Sequence, residues 1–219
     1  MADHTDESLI REIDEELRHE QFKKTWNRYG KIIVGAAALV VAAVAGYQFW
    51  QSHDLKTRQA VGDQFAKAQS LAISGDSTGA ADVFKRLAAE SGGYGLLARF
   101  QQAGLSAANG NVAGALDIYG AIAADNGVSG LYRDLATTLS AALEINDDGA
   151  DTGAIRTRLT PLTAADNPWR FTAKELMAAV ALKDGKTDEA RAIYQDMVKD
   201  AATSAALRQR ATEMLTILR

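Results

Sequence analysis

The chain of 219 residues contains no cysteine. That excludes disulfide staples, thiol nucleophiles and cysteine-ligated zinc or iron–sulfur sites, and it is compatible with an oxidising compartment. Proline occurs only at Pro161 and Pro168, so little interrupts helical runs. Histidine occurs only as His4, His19 and His53. No Ser-His-Asp arrangement can be assembled beyond His53, and none of the three has a metal-ligating partner at helical spacing. Positive charge is in short supply too. The formal net charge is −4, which disfavours a nucleic-acid partner. Runs of β-branched residues are scarce outside one stretch and alanine is abundant, so the expected class is all-α.

That one stretch is Ile32-Ile-Val-Gly-Ala-Ala-Ala-Leu-Val-Val-Ala-Ala-Val-Ala-Gly-Tyr-Gln-Phe-Trp50, and it carries no charge. At about 1.5 Å per helical residue it roughly matches a hydrocarbon core of about 30 Å. A backbone in lipid must satisfy its own hydrogen bonds, which requires a helix. Trp26 and Tyr29 before it, and Tyr47, Phe49 and Trp50 at its end, stand where interfacial aromatics stand. A buried core helix of this length would show a polar face. A cleaved signal peptide would start nearer Met1 and end in small residues. The reading is an uncleaved anchor over residues 31–51. Lys23, Lys24, Arg28 and Lys31 crowd its N-terminal flank, whereas Lys56 and Arg58 are the close cations after it. The positive-inside rule then leaves residues 1–30 in the cytoplasm and sends 52–219 across the membrane. Gly35, Ala38, Ala42 and Gly46 share one face of the anchor, and small residues so spaced let another membrane helix approach closely. An alanine-rich anchor without such a partner fits the same residues.

Ahead of the anchor a helix is expected from near Asp6. Ile10, Ile13 and Leu17 recur at helical spacing, and Phe22, Trp26 and Tyr29 continue the stripe after one slip in register. Gly30 is the expected bend. The basic and aromatic segment Lys23–Lys31 fits either a solvated helix or one lying on the inner membrane surface.

After the anchor, Leu55–Ile73 reads as a helix stopped by Ser74-Gly75 and followed by a cap-rich restart. Self-similarity then sets in. Gly75 is followed by Ala80 and Phe84, Gly110 by Ala115 and Tyr119, and Gly185 by Ala190 and Tyr194. Gly149, Ala154 and Arg158 make a degenerate copy, lengthened by the insertion Asn146–Asp151. Ala68, Ala103, Ala142 and Ala178 lie at matching distances upstream. A unit of about 34 residues is a pair of antiparallel helices whose apolar stripes are covered only when neighbours stack. The glycine ends the first helix, the alanines permit close crossing, and the aromatic fills the space one turn later.

This pattern resembles the tetratricopeptide (TPR) superfamily, although the first-helix tryptophan and the terminal proline of that motif are missing. Glu12-Ile-Asp-Glu-Glu-Leu-Arg18, Trp26-Asn-Arg-Tyr-Gly30, an anchor ending Gly46-Tyr-Gln-Phe-Trp50 and divergent repeats together look like the YfgM-like (TPR_21) family. The resemblance implies a single-pass bacterial inner-membrane protein, ancillary to the SecYEG translocon, with a periplasmic repeat domain. It also implies protein partners: the channel, emerging chains, and a membrane-anchored periplasmic chaperone such as PpiD. The fold expected is a juxtamembrane helix, one transmembrane helix and a TPR-like solenoid of antiparallel helix pairs. An envelope or cell-division scaffold is the alternative role.

Chemistry-bearing motifs are few. Gly185-Lys186-Thr187 ends like a phosphate loop, but Val180 stands where the earlier glycine belongs and a helix precedes it, so it reads as a turn. Gly92-Gly93-Tyr94-Gly95 reads as a break between repeats. Asp147 and Asp148 read as a solvated loop, and Asn167-Pro168-Trp169 as a helix cap. The expectation is a binding module, neither an enzyme nor a carrier of metal or cofactor.

Overall fold

A computed structural model describes residues 3–90 and 92–218, with side chains described from Lys23 onward except at positions 25, 27, 33 and 37. The stripe expected from Ile10, Ile13, Leu17 and Phe22 lies outside those side chains, as do His4 and His19. The chain forms two compact units, Met1–Ala60 and Val61–Arg219. Residues 55–60, just before the second unit, are exposed.

Helix α1 runs from Asp3 to Ile73. It is unbroken at Gly30, where the sequence suggested a bend. The Trp26 ring covers that glycine so closely that a Cβ there would stand 3.2 Å from it. With no proline to remove a donor, the helix has no reason to stop. From Arg28 to Ile73 it contains a window of mean hydropathy 2.1, none of it buried. By length and composition this is a candidate membrane span.

In the second unit the C-terminal turns of α1 are followed by α2 (Ser77–Ala88), α3 (Gly93–Ala108), α4 (Val112–Ala124), α5 (Gly130–Glu144), α6 (Thr152–Leu159), α7 (Arg170–Lys183), α8 (Thr187–Lys199) and α9 (Ala205–Ile217). A 3₁₀ turn, Thr160–Thr163, continues α6. There is no strand among the described residues.

Three of the repeat glycines end a helix in the same way. Gly75, Gly110 and Gly185 have φ of 88°, 82° and 72°, a region that costs a Cβ-bearing residue steric strain. Each turn closes with two backbone bonds, as where Gly110 N–H donates to Ala107 and Asn111 N–H to Ser106. This pairing satisfies carbonyls that the helix end would otherwise orphan. Asp76 and Asn111 then accept from the N–H of Gly79 and Gly114, capping the next helix.

Burial follows the pairs. One core joins Ala68, Ala80, Val83, Phe84, Leu87 and Ala98. The next joins Ala103, Ala115, Tyr119, Ile122 and Ala136. A third holds Ala141, Ile155, Leu159, Leu162, Ala173 and Val180, and a fourth holds Ala178, Ala181, Ala190, Tyr194, Met197 and Ala211. Each core takes residues from both helices of one pair and is closed by an alanine of the following helix: Ala98, Ala136, Ala173 or Ala211. Helix α9 therefore fills the place of a fifth first helix and covers the fourth core.

The third pair departs from the register read in the sequence. Ala154 is exposed, and Ile155 and Leu159 occupy the buried positions. The reason is the cap. Asp151 accepts from Ala154 N–H and starts α6, just as Asp76 starts α2. The residue four past the cap is Ala80 in the first pair and Ile155 in the third. Gly149 is not the turn glycine, for its φ is not positive, and Ala150 stands at the matching position. Ala142 is likewise half-buried while its neighbour Ala141 is fully buried. The six-residue insertion moved the frame by one.

Candidate interaction surface

The residues expected to pack the repeats fall as follows. Ala80, Phe84, Ala115, Tyr119, Ala190 and Tyr194 are buried, and Ala154 is not. Gly35, Ala38, Ala42 and Gly46 are exposed along α1, and a Cβ added at Gly35 or Gly46 would meet nothing within 4 Å. Burial pushes the Tyr119 and Tyr194 phenols above their ordinary range, as suits packing groups.

A second recurrence escaped the sequence reading. Four residues before each closing alanine Ala98, Ala136 and Ala173 stand Tyr94, Tyr132 and Trp169. All three are partly exposed at the head of a first helix. Tyr94 lies on Phe65 of the preceding pair with ring centroids 5.6 Å apart, and Tyr132 lies on Phe100 at 6.4 Å. Tilted pairs at such distances are worth about 0.5–1.5 kcal/mol each beyond their buried area. At the third edge Thr138 replaces the phenylalanine, three residues before Ala141 as Phe100 is before Ala103. Trp169 instead donates from Nε1 to the Leu131 carbonyl at 2.8 Å, and Asn167 Nδ2 donates to Asp134 at 2.8 Å. Asn167 Oδ1 accepts from Trp169 N–H, so this asparagine caps a turn ahead of α7, which starts at Arg170. The signal for these aromatics was in the sequence, at a constant offset from alanines whose burial only the structure reveals.

The heads of α3 and α5 expose Tyr94, Leu97, Leu131 and Tyr132. Beside them an open cleft of about 440 Å³ is lined by Leu96, Val128, Tyr132 and Arg99, with glycine backbone at Gly92, Gly93 and Gly95. A Cβ on Gly95 would stand 2.0 Å from the Glu90 carbonyl, so only glycine lets the chain turn there. Arg99 donates to Asp125 at 3.0 Å. That bond, with one from Gly127 N–H, holds the Asp125 carboxyl below its usual range. The surface is thus an apolar, aromatic strip bordered by the Arg99–Asp125 pair, with Glu90 at the edge of the cleft. Such a strip can bind apolar or aromatic segments of another chain. Among the described residues no group of three or more His, Asp or Glu side chains is placed to hold a metal ion.

No curated protein and no solved structure matches the chain. The family model of a tetratricopeptide repeat-like domain matches residues 23–216. That span takes in the apolar part of α1 as well as every helix pair, and domains of this kind generally mediate protein–protein interaction. The chain belongs to the tetratricopeptide repeat-like domain family.

Proposed function

We propose that this protein is a membrane-anchored interaction module, an accessory factor at the secretory translocon. In this reading residues 31–51 cross the bacterial inner membrane with the N-terminus inside, and the repeat unit lies in the periplasm. It meets emerging chains or a membrane-anchored chaperone of the PpiD type, while the anchor associates with SecYEG. Its work is binding and not catalysis. The observation that carries the reading is the single family match across residues 23–216, which joins an uncharged helical run to a repeat unit. The translocon itself comes from the likeness of Trp26–Gly30 and the anchor to the YfgM-like family. A tether of this kind raises the effective concentration of the repeat surface near the channel exit.

Gentle solubilisation and co-purification test it. Channel subunits and a periplasmic chaperone should be recovered with the full chain. Recovery of peptidoglycan-synthesis proteins without channel subunits would favour an envelope scaffold instead. A reporter active only outside the cytoplasm, fused after Arg219, should be active. An inactive fusion would reverse the orientation. Replacing Tyr94, Leu97, Leu131 and Tyr132 by serine should release the periplasmic partner while leaving the channel bound.

A further inference from the structure

Charge at the start of the described side chains is segregated. Residues 21–31 contain Lys23, Lys24, Arg28 and Lys31 and no acid, directly before the uncharged run. All four cations are exposed. Lys24, Arg28 and Lys31 follow one another at spacings of four and three on helix α1, which puts them on one face. The nearest acid upstream, Glu20, is one turn earlier. Among the described side chains of this first unit the ion pair joins Arg58 to Asp54, on the far side of the apolar run, and no described acid pairs with the basic face. Aromatics are built into the same turns. The Trp26 ring lies over Gly30, and Trp26 and Tyr29 are each about half exposed. The Arg28 guanidinium sits 5.7 Å from the Tyr29 ring centroid. Gly30 leaves room for the indole to lie flat against the helix, since a Cβ would stand 3.2 Å from it.

We infer that this turn is a docking surface for anionic phospholipid headgroups, with the cations on the headgroup phosphates and the rings of Trp26 and Tyr29 at the headgroup–acyl boundary. The inference rests on the reading of residues 31–51 as a membrane span and goes beyond it, because orientation requires only an excess of cations and not a preference for one lipid. Three features favour lipid over protein as the occupant. The face is continuous with the apolar run. Its cations are long and exposed, and able to snorkel to phosphates at different depths. Its aromatics stand where an interface would hold them. Each cation near an anionic surface adds roughly fivefold in association, from about 1 kcal/mol apiece.

The test uses the full chain reconstituted into phosphatidylcholine vesicles that carry traces of spin-labelled phosphatidylglycerol or spin-labelled phosphatidylcholine. Flotation reports insertion, and the motionally restricted fraction of each label reports headgroup preference. The expected result is equal insertion of wild type and the K24Q/R28Q/K31Q variant. Phosphatidylglycerol should be enriched at the wild-type protein by at least about fivefold and not at the variant. Wild type that floats with the vesicles but restricts both labels equally overturns the inference and leaves the membrane span standing. If that variant also loses channel subunits on co-purification, the basic face is a protein contact. Wild type that fails to float overturns the span and the inference together.

Discussion

Replacing Ile155 by alanine tests the corrected register most directly. Ile155 is fully buried on α6 and belongs to the core of Ala141, Leu159, Leu162, Ala173 and Val180. It is enclosed by residues of α5, α6, the 3₁₀ turn and α7, so the space left by its lost carbons cannot collapse without moving several elements. Deletions of this kind cost about 2–5 kcal/mol. The rigid surroundings put the cost near the middle of that range, about 3 kcal/mol. For a unit of this size each kcal/mol lowers Tm by about 2–4 °C, so the fall is about 6–12 °C. Ala154→Leu is the matched control. Its side chain is exposed, and the change should stay within about 0.5 kcal/mol. The assay is thermal unfolding of the full chain in mild detergent, with amide hydrogen exchange read segment by segment. Exchange should quicken in α6, in Thr160–Thr163 and at the start of α7 in the isoleucine variant. Little effect from Ile155→Ala combined with strong loss from Ala154→Leu would refute the reasoning and restore the frame that starts at Gly149.

Ala115 is fully buried where α4 crosses α3, so Ala115→Leu should destabilise by about 1–3 kcal/mol, whereas exposed Ala124→Leu should leave the melting temperature nearly unchanged. Gly110→Ala forces a Cβ into φ 82° and should cost about 1–2 kcal/mol; Gly149→Ala, with its nearest neighbour Asp147 Oδ1 at 3.8 Å, should cost almost nothing in the same urea titration. Asp184 is held below its ordinary pKa of 3.8 by bonds from Thr152 and Lys186. Glu144 is held below 4.5 because bonds from Arg158 and Ser140 outweigh the burial that acts to raise it. A carboxyl with a depressed folded pKa binds fewer protons than in the unfolded chain, so its contribution is full above those ordinary values and is lost as pH falls below them. Asp184→Asn should therefore flatten the decline of Tm below about pH 4, and an unchanged acid limb would show that the carboxyl is not coupled to folding.

The repeat architecture was legible because three turns share one mechanism. A left-handed glycine and an alanine five residues past it recur at Gly75, Gly110 and Gly185 with nothing inserted within the turn, and at the first two an Asx side chain, Asp76 or Asn111, caps the next helix. The third pair was legible only as a weak copy. Counting from a glycine misplaced the frame, because the insertion supplies Gly149 at an ordinary φ and the true guide is the capping Asp151. A cap is a better anchor than a glycine there, since it fixes which residue begins the helix, and burial follows from that residue. The boundary of the repeat unit was harder still. Helix α1 is continuous through it, and no residue in 52–60 announces where side chains begin to be covered. The recurrence of Tyr94, Tyr132 and Trp169 went unread for another reason, although Trp169 alone reads from the sequence as a core or repeat-packing residue. Their offset is constant from Ala98, Ala136 and Ala173, and an alanine in an alanine-rich helix does not mark itself as buried.

The four cores show how such a chain tolerates divergence. At the first two edges the connection between pairs is aromatic, Tyr94 on Phe65 and Tyr132 on Phe100. At the third, Thr138 has replaced the phenylalanine, and a set of polar contacts stands in its place. Trp169 and Asn167 donate to α5. Arg156 on α6 reaches both Asp184, at 3.5 Å, and Glu189 at the start of α8. The same pair has exchanged alanine and aromatic on its second helix for Ile155 and Leu159, and Pro161, which lacks an N–H, sits in the 3₁₀ turn that takes the place of further helical turns. These changes form one substitution of means. When the aromatic that spans two pairs is lost, the larger aliphatic residues fill the core locally, and hydrogen bonds and ion pairs carry the connection outward. Area-driven contacts are not weakened by charge screening, whereas partly exposed ion pairs are screened within about 8 Å at physiological ionic strength. The edge between the third and fourth pairs is therefore sensitive to its ionic surroundings in a way the two stacked-ring edges are not, and it shares that with the closing helix, where Arg210 of α9 pairs with Glu175 of α7 at 2.8 Å.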